Sequence, residues 1–248
     1  MAVRVIDRES VRSWRPRSGG RLVAPDGSTL TLKHDVSALD QPWFTECRVR
    51  YSGTPEAGSV GGRAFETGPV GTVDGHVAVM LTGSYVAEYP AQGGTFLLAA
   101  NADRSLGLVA WQGRWHEAYC WVNEPDATHL QMLSHLDDLT FTDTPAGLRV
   151  GLPPGHAYQR ITATKHVPQI GFLQITQAAT EAAALPSWSG RRVRAGEVWR
   201  QITDAKDADP TSVLVCASAS AVVSLHPRGG TEDAGLDFLT GLGSLHWG

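Results

Sequence analysis

The chain has 248 residues, 42% of them hydrophobic, and a formal net charge of −4. That is enough sequence for one large domain or two small ones with buried cores, and the mild negative charge argues against bulk attraction to nucleic acid or an acidic membrane. Three scattered cysteines, Cys47, Cys120 and Cys216, do not suggest a disulfide framework and fit a reducing compartment.

The opening stretch has no apolar core of the length a signal peptide needs. The longest weakly polar run, SVLVCASASAVVSL, is too short and serine-rich to span a bilayer. The expectation is a cytoplasmic protein without membrane insertion. Alanine and glycine are abundant and arginine far outnumbers lysine, as in a GC-rich bacterial coding sequence.

In chain order, residues 1–19 form an arm carrying Arg4, Arg8, Arg12, Arg15 and Arg17. Asp7 and Glu9 dilute its charge, and Trp14 is its one aromatic, so it lacks the interleaved aromatics of a nucleic-acid segment. RLVAP, an Asp26-Gly27 turn and STLTLKH then spell a hairpin. Residues from about 36 to 75 form an insertion whose second part, rich in Gly and Pro, reads as a surface loop. The strand-like runs HVAVMLTGSYVAEY, TFLLAA, LGLVAW and RWHEAYCWV follow, the last two separated by a Gln112-Gly113 turn. Asp126 and Thr128 stand where a helix N-cap would be. Beyond them Leu130, Met132, Leu133, Leu136 and Leu139 cover about half a helix circumference, a width suited to burial on a sheet. That run also fits a short helix giving way to a strand at LTFTD.

The second half repeats this order. An offset of 106 residues lays 106–141 on 212–247, and the run Leu236, Phe238, Leu239, Leu242, Leu245, Trp247 falls on Leu130 to Phe141. With short gaps GGTFLLAANADR matches AGEVWRQITDAK, HVAVMLTG matches QIGFLQIT, and GRLVAPDGSTLTL matches GLRVGLPPGHAYQRI. The organisation read from this is an arm (1–19), a first repeat (20–143) and a second repeat (144–248). The fold expected is α+β: two tandem repeats, each an antiparallel sheet with a helix packed on one face.

Gly147, Val150, Pro153 and Gly155 open the second repeat, and Leu236 to Trp247 close it. Gly20, Val23, Pro25, Gly27 and Leu130 to Phe141 do the same for the first. In this pattern the chain resembles the Mog1/PsbP-like α+β proteins. The resemblance implies a binding, chaperone-like or accessory role and assigns no functional residue.

Motifs for chemistry are weak. WHEAYC begins like His-Glu-x-x-His, but Cys120 replaces the second histidine and the setting is a strand, where His116 and Cys120 lie about 13 Å apart. His129 and His135 fall on different sides of a helix. GSVGGR matches neither phosphate-binding glycine pattern, and there is no Gly-x-Ser-x-Gly elbow. No metal, cofactor or catalytic set is expected. SGRRVRAGEVWR reads as a charged edge strand, which discourages aggregation. Trp115, Glu117, Tyr119 and Trp121 alternate on one strand face and are the candidate binding residues. If the leucine helix covers the opposite face of small residues, this row lines a groove suited to a protein or ligand. If it covers the row, these residues are core and Glu117 needs a buried partner. The reading favoured is a non-enzymatic binding or assembly protein with a protein partner, in a secretion or multi-subunit system. A small-molecule binder or enzyme with a cleft between the repeats is the alternative, and homo-oligomerisation stays open.

Overall fold

The structure, a computed structural model, describes residues 20–34, 37–51, 62–81, 84–203 and 211–248. The arm at 1–19 and part of the insertion lie outside the described residues. Two compact units divide the chain. One holds 25–27 and 44–159; the other holds 20–24, 28–43 and 160–248.

The first described strands, β1 (Arg21–Val23) and β2 (Thr29–His34), belong to the second unit. Gly27, at φ +89°, makes the Asp26-Gly27 turn between them. The first unit then supplies β3 (Phe44–Tyr51), β4 (Gly62–Pro69), α1 (Thr72–Met80), β5 (Ala87–Ala91), β6 (Gly94–Ala100), β7 (Gly107–Gln112) and β8 (His116–Val122). It closes with α2 (His129–Leu133), β9 (Thr140–Thr144) and β10 (Gly147–Gly151). Within β11 (His156–Val167) the chain leaves the first unit. The second unit continues with β12 (Gly171–Gln177), α3 (Ala178–Glu181), β13 (Arg191–Val193), β14 (Gly196–Thr203), β15 (Thr211–Ala217), β16 (Ala221–Pro227), α4 (Glu232–Thr240) and β17 (Leu242–Trp247).

The strands of the first unit run β5-β6-β7-β8-β4-β3 and those of the second β13-β14-β15-β16-β12-β11. Numbered by their own succession, both read third-fourth-fifth-sixth-second-first. In each, a helix follows the second strand, and another helix and a short strand follow the sixth. The short strands differ in setting: β9 pairs with β10, whereas β17 pairs with β2, which pairs with β1.

The expected α+β fold, with a helix across each repeat, is overturned. Among the described residues 53% are strand and 16% helix, so the protein is mainly antiparallel β. The leucine runs explain the difference. Each begins as a helix and ends as a strand: α2 stops at Leu133, and Leu136 and Leu139 are buried in the turns before β9. In the second run Phe238 and Leu239 are buried on α4, while Leu242, Leu245 and Trp247 are buried from β17. A spacing of three apolar residues fits one helix on paper, but the last members satisfy the two-residue period of a strand equally well.

HVAVML is helical in α1, although its valines read as a strand. Val73 and Val77 are spaced four apart and bury against Leu97, Leu108 and Tyr119, each worth about 1.5–3 kcal/mol on full burial. Tertiary packing of this kind overrides weak helix propensity. The match of HVAVMLTG to QIGFLQIT therefore fails, since the latter holds β12; α1 stands where α3 stands in the second unit. Within 36–75, residues 44–51 and 62–69 are strands.

Candidate functional site

Of the aromatic row, Glu117, Tyr119 and Trp121 lie on one face of β8, and His116, Ala118, Cys120 and Val122 on the other. The leucine run serves the second face: Met132 reaches Gly107 beside Val122. The row is nevertheless covered, because α1 packs on it. Tyr119 is buried with Val73 and Val77, and Trp121 packs at the margin of that cluster. Both faces are occupied, an outcome that a single helix could not give.

Glu117 has no exposed surface. Its Oε1 accepts the Gly71 N–H at 3.0 Å and a Gln112 Nε2–H, and its Oε2 accepts the Val73 N–H at 2.9 Å. Gly71 is the N-cap of α1 at φ +96°, a conformation natural to glycine. The carboxylate thus caps α1 from a neighbouring strand, taking up N–H groups that a helix start leaves open. Burial raises the Glu117 pKa while the three donors pull it down. Its chemistry is spent on the fold.

Tyr119 donates to Glu66 Oε2 at 2.8 Å, and its hydroxyl lies 3.2 Å from His76 Nε2. The His76 ring also meets Trp121 edge-on, centroids 5.4 Å apart. Burial raises the Tyr119 pKa and, for half-buried His76, favours the neutral imidazole. Sequence reasoning named neither Glu66 nor His76; only their place on β4 and α1 brings them to Tyr119.

Trp115 lies outside this core. Three residues, Gly113, Arg114 and Trp115, join β7 to β8, so the register pairs Ala110 with Tyr119 and Gln112 with Glu117. The expected two-residue turn at Gln112-Gly113 would have put Ala110 opposite Trp115 and Leu108 opposite Glu117. Asp143 holds the loop: its Oδ2 accepts the Trp115 N–H at 2.7 Å and its Oδ1 lies 2.8 Å from His116 Nδ1. Beside it opens a cleft of about 320 Å³, lined by Gln92, Arg114, Trp115, Phe141 and Asp143 among others. Its floor is a parallel stack of Trp111 on Phe141, centroids 4.5 Å apart. Arg114 is exposed and its guanidinium sits 4.9 Å from the centre of the Trp115 ring. The structure therefore separates the four row residues: Glu117 and Tyr119 in the core, Trp121 at its edge, Trp115 at an open cleft. Arg114, the neighbour of Trp115, was visible in the sequence; Asp143 and Phe141 were not, since β9 brings them in.

Among the described residues no group of three or more His, Cys, Asp or Glu side chains is placed to hold a metal ion. His116 is engaged with Asp143, and Cys120 is buried. No helix among them is long and apolar enough to cross a membrane. No protein-family model matches the chain, and no curated protein or solved structure matches it either.

Proposed function

We propose that the protein is a non-enzymatic binding or assembly factor that engages a protein partner through the cleft beside Trp115. One observation carries this reading: the cleft joins Trp115 and Arg114, on a loop tied down by Asp143, with Phe141 of β9. Tryptophan and arginine are the residues that most often dominate binding energy at interfaces. A loop already fixed in place loses little further entropy on docking. Three buried, unbridged cysteines suit action in the reducing cytoplasm.

The test is quantitative affinity capture from the source cells with wild-type protein and with Trp115→Ala and Arg114→Glu. The expected result is a stoichiometric partner that both variants lose while their melting temperatures hold. Retention of that partner by both variants overturns the reading. A second reading, a small-molecule ligand, is favoured by the cleft volume alone, which lies near the lower end for such sites. Native mass spectrometry of the purified protein separates the two, since a retained small molecule would appear as a discrete added mass.

A further inference from the structure

A second surface, independent of the cleft, lies on the second unit. β13 stands at the end of its strand order, and among the described residues only β14 pairs with it. Arg191, Arg192 and Arg194 are all exposed, and their guanidinium groups have no ion-pair or hydrogen-bond partner among the described residues. Glu197 is opposite Arg192 in the ladder but its Oε1 accepts the Gly190 N–H instead. Three bare cations within four residues are conspicuous on a chain of net charge −4.

The edge is held firmly. The Trp199 indole donates to the Trp188 carbonyl at 2.8 Å, and a Cβ on Gly190 would lie 2.5 Å from the Val198 carbonyl oxygen. Close backbone approach thus fixes the strand before any partner arrives. Trp188 is 60% exposed just upstream, and an open depression of about 360 Å³ lies between the β13–β14 turn and Ala217–Ala219.

We infer that the β13 edge binds an acidic segment in extended conformation, which adds to the sheet as a further strand. An edge strand offers its unpaired backbone groups to another strand. Guanidinium groups bind carboxylates in planar, two-pronged fashion. The same three arginines repel β13 of a second copy, so the edge refuses self-pairing and accepts an acidic strand. Long polyanions and anionic membranes fit less well. They feel the net negative charge of the whole protein, whereas a short peptide responds to the patch within a screening length of about 8–10 Å.

The probe is a dye-labelled peptide of about ten residues alternating Glu with Val or Thr, long enough to pair with all three residues of β13 in any register. It is titrated against the full chain by fluorescence anisotropy. Saturable binding is expected, with slowed amide exchange across 191–193. Combined Arg191→Glu, Arg192→Glu and Arg194→Glu substitution weakens it by roughly tenfold or more through lost charge-assisted bonds, with unchanged melting temperature. A peptide of equal charge with proline at every second position also binds about tenfold or more weakly, because proline has no N–H to donate. Absence of binding, binding unaffected by the charge reversal, or equal binding of the proline peptide, heparin or phosphatidylserine vesicles overturns the inference.

Discussion

Replacing Glu117 by alanine probes how α1 is held on the sheet. The substitution removes the acceptor for the N–H groups of Gly71 and Val73 and for the Gln112 amide. Val73 is fully buried, so its N–H finds no water, and an orphaned buried donor costs about 1–3 kcal/mol. Loss of the cap adds about 1 kcal/mol. Gly71 and Gln112 are only partly buried and recover some hydration, and the buried charge disappears with the side chain, which offsets part of the loss. These offsets bring a gross cost of about 2–4 kcal/mol down to a net destabilisation of about 1–3 kcal/mol. For a chain of this size that lowers the melting temperature by roughly 2–12 °C, read by circular dichroism, with faster amide exchange across Thr72–Met80. Glu117→Gln keeps an acceptor oxygen but sets its NH₂ against a donor, so it falls between wild type and alanine. The sign of the pH effect is also fixed. The Glu117 pKa is raised by burial, so its share of stability is complete below the unfolded value near 4.5 and declines as pH rises through the folded value. The advantage of wild type over Glu117→Gln therefore narrows from acid to neutral pH. An alanine variant that melts within about 1 °C of wild type, well under the shift expected from one lost cap, would refute the capping role.

Other consequences follow from buried groups. Lys165 has no exposed surface, donates to the Gln41 carbonyl and lies 4.2 Å from the Trp43 ring centre. Burial lowers its pKa to about 7, with Asp40 opposing; because the unfolded chain then holds more protons, stability rises between about pH 7 and 10. Lys165→Met should abolish that rise in urea titrations at the two pH values, and equal slopes would count against it. Burial pushes the Cys120 and Cys216 thiols up to about 12 and Cys47 higher still. Ellman's reagent should thus label none in the native protein and all three after denaturation; rapid native labelling of any one would contradict the packing. Trp247 is buried on β17 and donates to Ser28 Oγ at 2.7 Å. Trp247→Ala should cost about 3–5 kcal/mol, and an unchanged denaturation midpoint would show that β17 is dispensable.

The local signals in the sequence carried far. Thr128 is the N-cap of α2, in a capping box with Gln131, and Thr231 stands at the N-cap position of α4, although its hydroxyl donates to the Ile170 and Arg228 carbonyls and not to the helix. The offset of 106 residues lays β7 and β8 on β15 and β16, which hold the same places in the two strand orders, although the match of HVAVMLTG does not hold. What escaped was set by residues distant in sequence. α1 begins where it does because Glu117, 44 residues beyond Val73, accepts the Val73 N–H. Without that partner, Val-Ala-Val reads as strand by propensity. Glu117, Tyr119 and Trp121 alternate on β8 while Trp115 falls in the loop before it, and the row could not reveal that two helices cover the two faces of one strand. Nor could the cleft be foreseen, since Asp143 reaches the Trp115–His116 loop from 27 residues beyond His116.

The pairing of β2 with β17 bears on how the molecule comes to exist. Thr29 and Gly248 exchange both backbone hydrogen bonds, and Ser28 meets Trp247 across 219 positions of sequence. During synthesis β2 emerges more than two hundred residues before the strand that covers its free edge. At about 5–20 residues per second, that edge waits on the order of ten seconds or more. Nascent chains would spend this interval with an unpaired, leucine-bearing strand open to aggregation or to a chaperone, and refolding of the released protein should be slow for its size because its sheet closes over so long a loop.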